Sequence, residues 1–137
     1  MKMDLFTETY GFESDDLDAV TKELARVLKM TPETHFYEGY GGDYTSFGDR
    51  YKPGGDISLY PNHHAEVDGP TTHEEDFPEM GLILLIQQRK QYVSYEPKFQ
   101  QMELFNPILL HRSRYETETK KNEILFDLAK ERSKPKP

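Results

Sequence analysis

The chain has 137 residues, 35% hydrophobic and 31% charged, with nine Tyr, eight Phe, no Trp and no Cys. That length fits one domain whose core buries on the order of two thirds of the unfolded surface, and the aromatic content argues against wholesale disorder. Without Cys, disulfides, thiolate zinc sites, iron–sulfur ligation and cysteine nucleophiles are excluded. Net charge is −8, unevenly divided: residues 1–80 carry eighteen acids and six Lys or Arg, whereas residues 81–137 carry seven acids and eleven bases. An acidic amino-terminal part disfavours nucleic acid, which is bound through positive charge. It suits a basic protein partner, although acids also serve solubility alone.

The opening MKMDLFTETYGFESDD lacks a signal-peptide apolar core, and the longest apolar run, Leu82 to Ile86, is far below the ~20 residues of a membrane-spanning helix. A cytoplasmic protein is expected. Ser14, Asp15 and Asp16 supply a helix start. Leu17, Val20, Leu24, Val27 and Leu28 continue it as one apolar stripe, and Pro32 predicts its end near Lys29 or Met30. His35 to Tyr40 and Asp43 to Phe47 read as strands joined at Gly41-Gly42. Lys52 to Gly55 makes a second turn into the alternating strand Ile57 to Tyr60, which Pro61 ends. Asn62 to Met80 has three His, two Pro and six acids without periodicity, and reads as a long loop.

Leu82 to Ile86 is predicted as a strand covered on both faces. Glu96 to Phe105 reads as a short helix with Pro97 in its first turn, Ile108 to Tyr115 as a strand, and Glu123 to Arg132 as a helix carrying Ile124, Leu125 and Leu128. The expected fold is α+β: one domain over residues 1–132, an antiparallel sheet of four to five strands packed against a long N-terminal helix, an additional C-terminal helix, and a frayed tail over 133–137.

The glycine pairs match neither a P-loop nor a dinucleotide fingerprint, and Asp43 and Asp56 would repel phosphate. Positive-φ turns account for them. His63, His64 and His73 share a segment with Glu66, Asp68, Glu74, Glu75 and Asp76, all possible metal ligands, although no HExxH-type spacing occurs. A small metal-dependent enzyme built on His63, His64, His73 and Glu75 is therefore the alternative to a binding protein. Ser46 or Ser58 could be paired with His63 or His64, but no GxSxG elbow is present. Tyr37, Tyr40, Tyr44, Phe47, Tyr51 and Tyr60 are interleaved with acids, which suits packing and a protein interface better than base stacking.

Taken in order, Tyr40-Gly41-Gly42-Asp43-Tyr44, Ile57-Ser58-Leu59-Tyr60-Pro61-Asn62, Asp68-Gly69, Asp76-Phe77-Pro78 and Leu82 to Ile86 resemble the bacterial immunity proteins of polymorphic toxin and contact-dependent growth inhibition systems. The likeness spans residues 15–86. It implies a non-catalytic binder inside the cell that blocks one toxin domain, commonly a nuclease with a basic cleft; with the charge, hydropathy and ligand-spacing readings above, no cofactor, metal, nucleic acid or membrane is expected. Charge and loop position, not a shared family motif, single out Asp43, Tyr44, Glu66, Asp68, Glu74, Glu75, Asp76 and Glu79 as partner contacts.

Overall fold

The computed structural model describes residues 4–38, 42–48, 54–66, 69–89 and 92–133, with backbone alone at 65, 66, 69 and 70. The first element is not a helix. Leu5–Phe12 forms strand β1, followed by helix α1 (Leu17–Leu28), β2 (Glu33–Tyr37), β3 (Gly42–Gly48), β4 (Asp56–Pro61), β5 (His63–Glu66), β6 (Gly69–Thr72) and β7 (Leu82–Gln88). Helix α2 (Glu96–Phe99), strands β8 (Ile108–Glu116) and β9 (Lys121–Asp127) and helix α3 (Leu128–Ser133) complete the chain. One antiparallel sheet of seven strands has the order β2-β3-β4-β7-β1-β8-β9, and β5 and β6 form a separate hairpin.

The expected α+β fold is thus overturned: the protein is mostly β. Three short helices accompany the sheet, and no long N-terminal helix exists. Two readings account for the difference. The amino-terminal LFTETYGF forms a strand between β7 and β8, and Glu123 to Asp127 pairs with β8 as β9, leaving only six residues for α3. Ile124 and Leu125 remain half-exposed on that edge strand instead of burying a helical stripe. The segment from Asn62 to Met80, read as a loop, contains the β5–β6 hairpin. Residues 134–137, expected as a frayed tail, and residues 39–41 and 49–53, which hold parts of both expected turns, lie outside the described residues.

Helix α1 has only 12 residues, a length at which an isolated helix is marginal in water. Asp16 caps it, its carboxylate accepting from the Ala19 amide at 3.1 Å, and Lys29 closes it in a left-handed conformation. Packing completes its stabilisation: Val20, Leu24, Val27 and Leu28 are buried against Phe47, Ile57, Leu59, Leu82, Leu84 and Ile86, at about 1.5–3 kcal/mol for each large apolar side chain fully removed from water.

β7 lies in the middle of the sheet, between β4 and β1. Its alternation sends Leu82, Leu84 and Ile86 toward α1, while Ile83 packs on the opposite face with Tyr60, Phe77, Met80 and Leu110. The turn into β4 needs glycine at Gly55, where φ is +76° and a Cβ would collide with the Gln87 carbonyl. Among the described residues, no helix is long and apolar enough to cross a membrane.

Candidate functional site

Three groups of polar side chains stand out, and they differ in what holds their charge. The first is the edge hairpin of β2 and β3. Glu33 pairs with Ser46, His35 with Tyr44 and Phe36 with Asp43, which puts Asp43 and Tyr44 on opposite faces of the sheet. Tyr44 packs beside the second core cluster, with the His35 ring 5.2 Å away. Asp43 is exposed, as are Glu33 and Glu38. Phe36 is 71% exposed and Tyr37 56%. Between Lys29 and Arg50 the sequence contains no Lys or Arg, so this edge joins large aromatic area to carboxylates without a cation of its own segment.

Ser46 Oγ lies 2.8 Å from His35 Nε2. This is not the arrangement of a catalytic triad, because the Glu33 carboxylate approaches the same Nε2, at 3.6 Å, and not the other ring nitrogen that an orienting acid holds. Ser46 also faces Ser58 across the β3–β4 pair, and its histidine partner is His35 instead of His63 or His64.

The second group is the acidic segment after β6, which is built around one side chain. Asn62 is fully buried. Its amide nitrogen donates to the carbonyls of Phe77 (3.0 Å) and Met80 (2.9 Å), and its amide oxygen accepts from the Glu74 N–H at 2.8 Å. Backbone bonds Asn62 N–H to Gly81 O and His73 N–H to Asn62 O close the same ring of contacts. His63 commits both ring nitrogens nearby, to Thr72 Oγ1 at 2.9 Å and Pro78 O at 2.8 Å.

That scaffold separates the acids expected to act together. Glu79 is held by Arg132 at 2.8 Å, and the Arg132 guanidinium covers the Phe77 ring. Glu74 is only partly accessible, and burial pushes its carboxyl above the usual range, against the pull of His111. Glu75 and Asp76 are exposed. The Glu66 side chain and all of Asp68 lie outside the described residues.

The His64 and His73 rings stack, centroids 4.9 Å apart and 15° from parallel, with Tyr60 edge-on to His73. Among the described residues, no group of three or more His, Asp or Glu side chains is placed to hold a metal ion. The structure thus does not assemble His63, His64, His73 and Glu75 into a ligand set.

The third group was not foreseen from the sequence. Glu8, on the α1-facing side of β1, is 1% exposed. Its Oε2 accepts from Arg112 Nε at 2.7 Å, from the Tyr92 hydroxyl at 3.2 Å and from the Tyr10 hydroxyl at 3.4 Å. Arg112 Nη2 reaches Oε2 as well, and bridges to Glu96 Oε1, each at 2.7 Å. Burial disfavours the Arg112 charge, but the hydrogen bonds it donates to both carboxylates outweigh it, and its pKa moves upward. Burial, then the Glu8 charge, also pushes the Tyr10, Tyr92 and Tyr95 hydroxyls up. These tyrosines stay neutral donors.

Arg112 also lines a cleft of about 340 Å³ with Phe6, Tyr92 and Leu125. With two carboxylates already on its guanidinium, the group acts as a buried link between β1, β8 and the start of α2. The one signal in the sequence is Phe6-x-Glu8-x-Tyr10-x-Phe12, where an acid occupies an apolar strand face. A smaller link of the same kind joins α1 to the segment after α2: Glu23 Oε1 accepts from Arg26 Nη2 at 2.6 Å and from the Glu103 N–H at 2.9 Å. Comparisons with family models, with curated proteins and with solved structures find no match for this chain.

Proposed function

We propose that this protein is a non-catalytic immunity-type inhibitor, which binds a basic cognate toxin domain through an acidic, aromatic edge. The observation that supports this reading most is the β2–β3 hairpin, where Phe36 and Tyr37 are exposed on an edge strand among Glu33, Glu38 and Asp43. Aromatic side chains supply rigid contact area at protein interfaces. Acids around them raise the encounter rate with a positively charged cleft and exclude wrong partners. A nuclease domain, whose substrate groove must be cationic to bind nucleic acid, is the partner class that fits such a surface.

Within this reading the contact set differs from the one expected. Asp43 is retained, Glu75 and Asp76 form a secondary acidic patch, and Glu33, Phe36, Tyr37 and Glu38 are added. Glu74 is assigned to internal structure, Glu79 to a surface pair with Arg132, and Tyr44 supports the hairpin from the opposite face. The metal-dependent alternative has no comparable observation behind it.

The test is calorimetric binding to the product of the reading frame adjacent to the one that encodes this chain, over a salt series. Nanomolar binding that weakens steeply with salt, and weakens by at least about tenfold in E33K/E38K/D43K, is expected. Affinity indifferent both to salt and to that triple reversal would remove the proposal.

A further inference from the structure

The seven-stranded sheet ends in two edge strands, β2 and β9, and among the described residues only one carries the features that discourage pairing. β9 has a register irregularity against β8 between Arg112 and Ser113, follows Lys120 in a left-handed conformation, begins with Lys121, and runs directly into α3. Irregular register, edge lysines and covering elements are the devices by which sheets protect exposed N–H and C=O groups from further strands. Among the described residues β2 shows none of these three: its five residues pair with β3 in unbroken register, and Glu33 to Tyr37 includes neither Lys nor Pro.

Building on the inhibitor reading above, we propose that β2 is a strand-addition site, onto which an extended Lys- or Arg-bearing segment of the partner adds as a further strand of the sheet. Alternate residues of an edge strand turn their backbone groups outward, so main-chain bonds supply affinity and the side chains supply selectivity. On one face the incoming strand meets Glu33, His35 and Tyr37; on the other it meets Thr34 and Phe36, with Asp43 one strand further in on β3. Cations on the Glu33 face of the added strand therefore find a carboxylate directly. Charge also argues against a second copy as occupant, since each copy carries −8 and brings the same Glu33, Glu38 and Asp43 to the shared edge.

The experiment uses the full chain, labelled with nitrogen-15, and two capped probe peptides that alternate Lys and Val. One is unmodified; the other is N-methylated at alternate residues, which keeps the charge but removes one row of backbone donors. Expected are amide shifts and slowed hydrogen exchange confined to residues 33–37 with the unmodified peptide, and affinity lower by at least about tenfold for the methylated one.

Equal binding of both peptides would overturn strand addition while leaving the acidic-inhibitor reading standing. Loss of toxin binding in E33K/E38K/D43K, together with no protection of residues 33–37 in the toxin complex, would do the same in the native setting. If the toxin domain itself does not bind, the inhibitor reading fails with it. A peptide-free dimer in sedimentation, with β2 amides already protected, would overturn the assignment to a basic partner.

Discussion

Glu8 and Glu33 are the same residue type in opposite circumstances. Glu8 is buried under three hydroxyl or guanidinium donors from β1, β8 and the segment before α2, whereas Glu33 stands 74% exposed on an edge strand, with the partly exposed His35 ring at 3.6 Å as its near neighbour. Removing a buried charge partner leaves the other charge stranded in low dielectric, while an exposed pair is worth little because water screens it. The difference separates acids that hold this fold together from acids available to a partner.

The sharpest way to break that distinction is at its buried end. Glu8→Ala leaves Arg112 with only the half-exposed Glu96 carboxylate and should cost about 3–5 kcal/mol in urea unfolding, with partner affinity unchanged for the folded fraction. A loss below about 1 kcal/mol would place Glu8 with the surface acids instead. Asn62→Ala comes next, because it removes three hydrogen bonds made by a fully buried amide. At roughly 1 kcal/mol for each bond, a loss of about 2–3 kcal/mol is expected. Hydrogen exchange should quicken at Glu74, Phe77 and Met80 before the rest of the chain, and uniform protection there would show that Asn62 does not organise the segment.

Glu74 lies between the two extremes, and its sign can be worked out. Its folded pKa is raised by burial, so the native chain holds this proton more tightly than the unfolded chain does. Stability attributable to Glu74 is therefore full below the unfolded value of about 4.3 and falls as pH rises through the folded value. Glu74→Gln should stabilise the protein at neutral pH and be neutral in acid. A stabilisation that persisted unchanged at pH 3 would contradict the assignment.

Glu23 and Glu79 have the opposite slope. Hydrogen bonds from Arg26 and Arg132 depress them, so their contribution is present above the unfolded pKa and is lost as pH falls through the folded one. Thermal unfolding of E79Q against the parent should show a difference at neutral pH that closes in acid.

The smallest change in stability is expected at the hairpin, within about 0.5 kcal/mol for F36S or E38K, as for exposed substitutions in general. These are also the variants expected to lose the most affinity for the proposed partner. If they unfold the protein instead, the hairpin belongs with Glu8 as structure and not with the partner surface.

Local signals in the sequence were read where they act locally. The carboxylate start and apolar spacing from Asp16 to Leu28 mark the segment that becomes α1, though as a three-turn helix following a strand. Gly54 and Gly55, before Ile57, mark a break between strands, and the run Leu82 to Ile86 marks a strand buried on both faces. β1 was not legible, because an acid interrupts its apolar face and donors as far away as Arg112, 104 positions along the chain, make that acid acceptable there. β9 was misread because Ile124, Leu125 and Leu128 fit helical spacing, and a short apolar run is assigned by what it pairs with.

The candidate contacts divide in the same way. Composition alone determined that the amino-terminal part is acidic, free of thiol chemistry and rich in tyrosine, the features from which a basic partner is proposed. Only the tertiary structure decided which acids are available to one, since the arginines that hold Glu8 and Glu79 lie 104 and 53 positions along the chain. Caps and turns are settled within a few bonds, whereas the compensation of a charge acts through space, between residues that meet only after the sheet has formed.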